Sequence, residues 1–121
     1  MKKLEKKIYK HLKDRHWHNI RPADLAKSIM IEGAELLELF QWENLSLEDV
    51  KRNKEKTEEI QKELADVLIY CLEMSVLLEF DTEKIIRSKL AFAGKKYPAK
   101  LMRADKTAYL QIKKEYRKRG Q

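Results

Sequence analysis

Apolar residues recur every three to four positions through most of the 121-residue chain, and each run closes at a recognisable breaker. Leu4, Ile8 and Leu12 predict an amphipathic helix over residues 2–15, ending near Trp17-His18-Asn19. Arg21-Pro22 demands extended backbone before the proline, and Pro22 or Asp24 starts a second helix that continues to about Trp42. Ser46-Leu47-Glu48-Asp49 has the form of a capping box with Asp in place of Glu. It opens a helical stretch to about Glu79 whose polar first half is expected to break near Asn53. The second half is apolar on nearly every side, with Leu64, Leu68 and Leu72 opposite a stripe of Ile60, Val67, Tyr70, Met74 and Leu77. Such a helix must be covered on both faces. Asp81 or Thr82 caps a fourth helix through Ile85, Ile86 and Leu90, which Tyr97-Pro98 ends, and Tyr109, Ile112 and Tyr116 predict a short docked helix in the last twenty residues. No strand pattern is found. The expected fold class is all-α: a four-helix bundle over residues 1–99 with a short helical extension over 100–121. A single chain of this size offers the third helix too few neighbours, so helices are expected to pack across a homo-oligomer interface.

Acids interrupt two of these apolar stripes. At about 100° per residue, Leu25, Ile29, Leu36 and Leu39 fall close to Glu32, with Glu35 beside it; Glu63 sits on the Ile60–Tyr70 stripe, with Asp66 beside it. An isolated buried carboxylate would rather protonate than stay charged, and four converging ones repel. A hard divalent cation removes both objections, since Mg²⁺ takes oxygen ligands and shares them between carboxylates, waters and phosphates. A three-residue step puts both side chains of a pair on neighbouring parts of one helix face, so two facing pairs make a four-carboxylate box. Di-iron bundles need Glu-x-x-His pairs, and His11, His16 and His18 all precede the acidic helices. The donor set is therefore oxygen alone, which suits Mg²⁺ or Mn²⁺. Glu38 lies about 120° round from Glu32, at the rim, either as a general base or as a partly exposed acid behind the ligands. Gly33, unfavourable in a helix by about 1 kcal/mol relative to Ala, suits a close approach at that point.

The net charge of +7 is concentrated: residues 100–121 carry eight Lys or Arg against Asp105 and Glu115, leaving the first 99 residues nearly neutral. A basic tail can bind polyanions or can simply be a solvated face; the second reading is preferred, so nucleic acid is not the expected partner. Cys71 can form no internal disulfide and reads as core in a reducing cytoplasm. The start Met1-Lys2-Lys3 is followed by charged rather than apolar residues, and no run reaches the ~20 apolar residues of a membrane span. Trp17 and Trp42 can stack on a nucleobase, and Lys89, Lys95 and Lys96 can neutralise phosphates. His16-Trp17-His18 lacks the ligand set of a transition-metal site.

Taken together, Arg15-x-Trp17, Ile31-Glu32-Gly33-Ala34-Glu35-Leu36-Leu37-Glu38-Leu39-Phe40-Gln41-Trp42, Glu63-Leu64-Ala65-Asp66-Val67-Leu68-Ile69-Tyr70 and Lys89 with Lys96-Tyr97-Pro98 resemble the all-α nucleoside triphosphate pyrophosphohydrolases, the MazG-like and dCTP-pyrophosphatase-like enzymes. The resemblance spans residues 15–98. It implies Glu32, Glu35, Glu63 and Asp66 as Mg²⁺ ligands, Trp17, Trp42, Tyr70 and Tyr97 around the nucleotide, and Lys89 and Lys96 on its phosphates. The implied reaction hydrolyses a nucleoside triphosphate between the α and β phosphates, giving monophosphate and pyrophosphate, in a cytoplasmic dimer or tetramer that clears unwanted nucleotides. The family often carries Asn four residues after the lysine matched by Lys89, where this chain has Ala93. The alternative is a non-catalytic helical module that binds nucleic acid or another acidic partner through the tail.

Overall fold

The computed structural model describes residues 1–120, which are mostly helical, joined by turns and short irregular segments. Seven helices follow in order: α1 (Lys2–Asp14), α2 (Pro22–Glu38), α3 (Leu47–Arg52), α4 (Lys54–Leu77), α5 (Thr82–Lys96), α6 (Ala99–Ala104) and α7 (Ala108–Lys118). The chain falls into two compact units, residues 1–82 and the part beginning at Glu83. No helix among the described residues is long and apolar enough to cross a membrane.

In the first unit α4 is the central element, pairing most extensively with α2 and then with α1. Ile8 and Leu12 of α1 and Leu25 of α2 are its buried apolar residues. Local chemistry sets most helix ends. Arg21 is extended (φ −72°, ψ 139°) with Pro22 in the first turn. The Ser46 hydroxyl accepts from the Asp49 N–H at 3.2 Å, and the Asn53 side chain accepts from the Lys56 N–H at 3.0 Å. Asn53 thus closes α3 and opens α4, which is the expected break.

Two helices end on a left-handed residue other than glycine. At the end of α1, His16 (φ 58°) lets the Trp17 N–H reach back to the Leu12 carbonyl at 2.9 Å and its own N–H to Lys13 at 3.1 Å. At the end of α4, Glu79 (φ 59°) does the same for Phe80 and Ser75 at 2.9 Å. Both are Schellman closures. The second is reinforced by a buried 2.5 Å hydrogen bond between the hydroxyls of Ser75 and Thr82.

The structure corrects several expectations. Helix α2 stops at Glu38 rather than near Trp42, and the next residues tighten into Leu39→Leu36, Phe40→Leu37 and Gln41→Glu38 bonds. The cause lies on α4: the Lys56 ammonium donates to the freed Leu39 carbonyl and sits 5.4 Å from the centre of the Phe40 ring. Cys71 is exposed rather than core, because it faces the same side as the exposed Leu64 and Leu68. Nothing lies within 4 Å of a Cβ built on Gly33, so the chain itself makes no close approach there. In the second unit the extension forms two helices rather than one, separated by Asp105, whose carboxylate accepts from the Thr107 N–H at 2.9 Å. Aromatic pairs Phe92–Tyr116 (5.8 Å) and Tyr97–Tyr109 (4.8 Å) pack this unit together.

Candidate functional site

The pairing of α2 with α4 brings the two acidic pairs face to face. Carboxylate oxygens of Glu32, Glu63 and Asp66 lie within 4.8 Å of one another. Glu35 completes the set: its side chain shares a hydrogen bond with Glu32, the leading reason that Glu32 holds its proton more tightly than an ordinary carboxyl. Desolvation and the charges of Glu35, Asp66 and Glu63 push Glu32 the same way. Glu63 is also raised, first by desolvation and then by the charges of Glu35 and Asp66. One oxygen of each, Oε2 of Glu32 and Oε2 of Glu63, is sealed from water and has no hydrogen-bond donor. The pairs Lys10–Asp14, Lys27–Asp24, Lys51–Glu48 and Arg52–Asp49 are exposed contacts within single helices, and among the described residues no ion pair involves these four acids. Two orphaned oxygens in an all-oxygen cluster without a protein cation are what a hard divalent ion would complete. Glu38 is exposed at the rim, and its charge is the weakest of those felt at Glu63.

A cavity of about 270 Å³ adjoins this cluster, with Asp66 in its wall. Its other α4 residues, Ile69, Tyr70 and Glu73, face Leu12, Trp17 and Ile20. His11 and Ser28 complete the lining. Trp17 reaches it because the left-handed His16 turns the chain back over α1, where the indole meets the His11 ring edge-on at 6.1 Å. Tyr70 stands between the two ends: its phenol is raised by desolvation, then by the charges of Glu73, Glu32 and Asp66. Glu73, at the end away from the cluster, is 6% exposed and burial alone pushes its carboxyl up.

Of the nucleotide-facing residues expected from the sequence, Trp17 and Tyr70 line this cavity, whereas Trp42 does not and is 87% exposed. Lys89, Lys96 and Tyr97 belong to the second unit. There the Lys89 ammonium lies 5.0 Å from the Phe92 ring centre, and that of Lys96 lies 5.2 Å from Tyr97 and 4.6 Å from Tyr116. Sequence reasoning missed Glu73, although the signal was the same as for Glu63: an acid among Val67, Tyr70, Met74 and Leu77.

Residues 27–110 match the profile of the MazG-like family. The chain belongs to this family. The match begins after Trp17 and continues beyond Pro98, so it includes α6, which the resemblance had left outside. A pyrophosphatase structure from Archaeoglobus fulgidus is 36% identical with a TM-score of 0.70, covering 81% of this chain and 92% of that one. Human and rat dCTP pyrophosphatase 1 are each 29% identical over 82% of this chain. This MazG-like chain spans 59% of the length of those mammalian relatives.

Proposed function

We propose that this chain is a divalent-metal-dependent nucleoside triphosphate pyrophosphohydrolase, which uses water to cleave between the α and β phosphates and releases a monophosphate and pyrophosphate. The observation that carries this reading is the convergence of Glu32, Glu63 and Asp66, with Glu35 against them, around two carboxylate oxygens that have neither solvent nor donor. The names of the relatives, a pyrophosphatase and dCTP pyrophosphatases, support it.

Glu32, Glu35, Glu63 and Asp66 would hold the metal, Mg²⁺ or Mn²⁺ by their all-oxygen chemistry. When bound, such an ion supplies charge neutralisation to phosphate oxygens and lowers the pKa of coordinated water. The chain's own residues bind and orient: Trp17 and Tyr70 offer aromatic faces to a base in the adjoining cavity. To Glu38, exposed at the rim, we assign the role of general base toward an approaching water. Lys89, Lys96 and Tyr97 are assigned to the polyphosphate on the family resemblance. We further assign the protein to the cytoplasm as a homo-oligomer that removes unwanted nucleotides, with residues 1–99 as the catalytic domain.

The test is a panel of canonical and modified triphosphates incubated with Mg²⁺ and scored for product. Pyrophosphate is the expected product. Orthophosphate would mean that a different bond is cut, and the absence of metal-dependent turnover across the panel would overturn the proposal.

A further inference from the structure

The charges on α7 differ in kind from those on the other helices. Exposed cations of α1, α2, α3 and α5 pair with acids three or four residues away, as in Lys10–Asp14 and Arg87–Glu83. Among the described residues no Lys or Arg of α6 or α7 forms an ion pair. Instead the Lys113 ammonium lies 5.6 Å from the centre of the Tyr109 ring. Lys113, Lys114 and Arg117 follow Leu110 at i+3, i+4 and i+7, so the four share one face. Glu115 lies about 150° round from that face, and the carboxylate of Asp105, the other acid of residues 100–121, accepts from the N–H and hydroxyl of Thr107. The opposite side of α7 is packed: Ala108 is 6% exposed, Tyr109 meets Tyr97 and Tyr116 meets Phe92. The helix dipole accounts for Arg117 and Lys118 in the last turn, but it does not reach Lys113 and Lys114. Lys113–Arg117 and Lys114–Lys118 are like-charge neighbours one turn apart, a repulsion that disfavours the helix until an anion lies across it. The family match ends at Leu110, so this row of cations stands outside it.

We infer that this face of α7 binds the phosphodiester backbone of nucleic acid without sequence preference, a function separate from the proposed hydrolysis. Charge content alone fits a solvated face, and that is the preferred reading of the sequence. The lack of ion pairs and the like-charge row set this face apart from the solvated faces of the same molecule. Neighbouring cations of the row stand about 5–6 Å apart. A nucleic-acid strand carries a phosphate at every nucleotide and can meet each of them, with the released counterions as driving force. An acidic protein segment would have to place its carboxylates to match. Leu110, 59% exposed, and the open part of Tyr109, 43% exposed, border the row, and side chains of this kind beside cations give bases a surface to rest on. A membrane surface would need the apolar side of α7, which packing within the unit occupies.

The experiment titrates the whole chain, in EDTA, into fluorescein-labelled oligothymidylate and into its duplex with oligoadenylate, and reads anisotropy between about 50 and 200 mM salt. Contact with three phosphates gives a logarithmic salt slope of about −2 on the single strand, so its affinity should fall at least about tenfold over that range. Combining Lys113→Gln, Lys114→Gln and Arg117→Gln should weaken binding at least tenfold and flatten the slope, with helicity and Mg²⁺-dependent pyrophosphate release unchanged. Removing the same charge from α1, by Lys3→Gln, Lys6→Gln and Lys7→Gln, should weaken binding far less. Either form of the nucleic acid, bound by the wild type and released by the α7 variant, supports the inference, and the ratio of the two affinities tells which form the face takes. No binding at about 50 mM salt, an equal loss in the α1 variant, or equal or tighter binding to polyglutamate or to vesicles of anionic lipid overturns it.

Discussion

Glu32 and Glu63 each keep an oxygen that neither water nor a donor reaches, and both bind their protons more tightly in the native state than an ordinary carboxyl does. The linkage has a definite sign. Between the ordinary carboxylate pKa and the raised native value the folded state holds more protons than the unfolded one, so stability falls as pH rises through that window. Above it the cluster is fully charged and its repulsion is fully felt. In EDTA, Glu32→Gln is therefore expected to melt above the wild type at neutral pH, with the gap closing as pH falls through the window. Adding millimolar Mg²⁺ should reverse the order, because metal stabilises only the intact cluster. Parallel melting curves at every pH, with no response to Mg²⁺, would contradict this. The exposed Glu35 and Asp66 separate catalysis from folding. Glu35→Gln and Asp66→Asn should keep their melting cooperativity yet lower pyrophosphate release by more than the roughly 10–100-fold typical of residues that merely support metal ligands. Wild-type turnover in either variant would remove the assignment.

Helix ends show which parts of the fold a sequence makes legible. The break at Asn53 and the extended Arg21 were readable because the decisive contacts are local: the Asn53 side chain bonds Lys56 three residues on, and Pro22 constrains its own neighbour. The stop of α2 at Glu38 was not, because the Lys56 ammonium that takes the Leu39 carbonyl is 17 residues away. The four acids were legible for a related reason. Glu32 and Glu63 break the helical period of apolar stripes, so their abnormality is visible in one dimension, whereas the exposure of Trp42 and Cys71 depends on what packs around them. The left-handed closures were also hidden, since neither uses glycine. That choice has a measurable consequence. A left-handed conformation costs a residue with a Cβ about 1–2 kcal/mol, against which the extra freedom of glycine in the unfolded chain must be set. Glu79→Gly is expected to stabilise the protein by about 1 kcal/mol, read as a higher denaturant midpoint at unchanged slope. A lower midpoint would show that the Glu79 side chain contributes more than the strain removes.

For the whole molecule, the sparse burial of apolar side chains within each unit is what the proposed homo-oligomer would explain. Among the described residues only Ile8, Leu12, Leu25 and Ala108 are buried apolar side chains, although 43% of the sequence is hydrophobic. Met30 and Leu37 of α2 are 73% and 69% exposed, and Leu64 and Leu68 of α4 are 42% and 52% exposed. Leu64, Leu68 and the exposed Cys71 recur at helical spacing on the face of α4 away from Glu63. In the proposed homo-oligomer a second copy of the chain would cover this apolar face. The wild type should therefore sediment as a homo-oligomer, and Leu68→Glu, which places a charge in that face, should shift it toward the 14.5 kDa monomer. Burial of each lost leucine is worth about 2 kcal/mol, so the variant should also melt lower. Cys71 provides an independent reading, since its thiol should react slowly with a maleimide in the wild type and rapidly in Leu68→Glu. A monomeric wild type with a freely reactive Cys71 would show that this face meets solvent, and the third helix of the expected bundle would then need a different explanation for its apolar exterior.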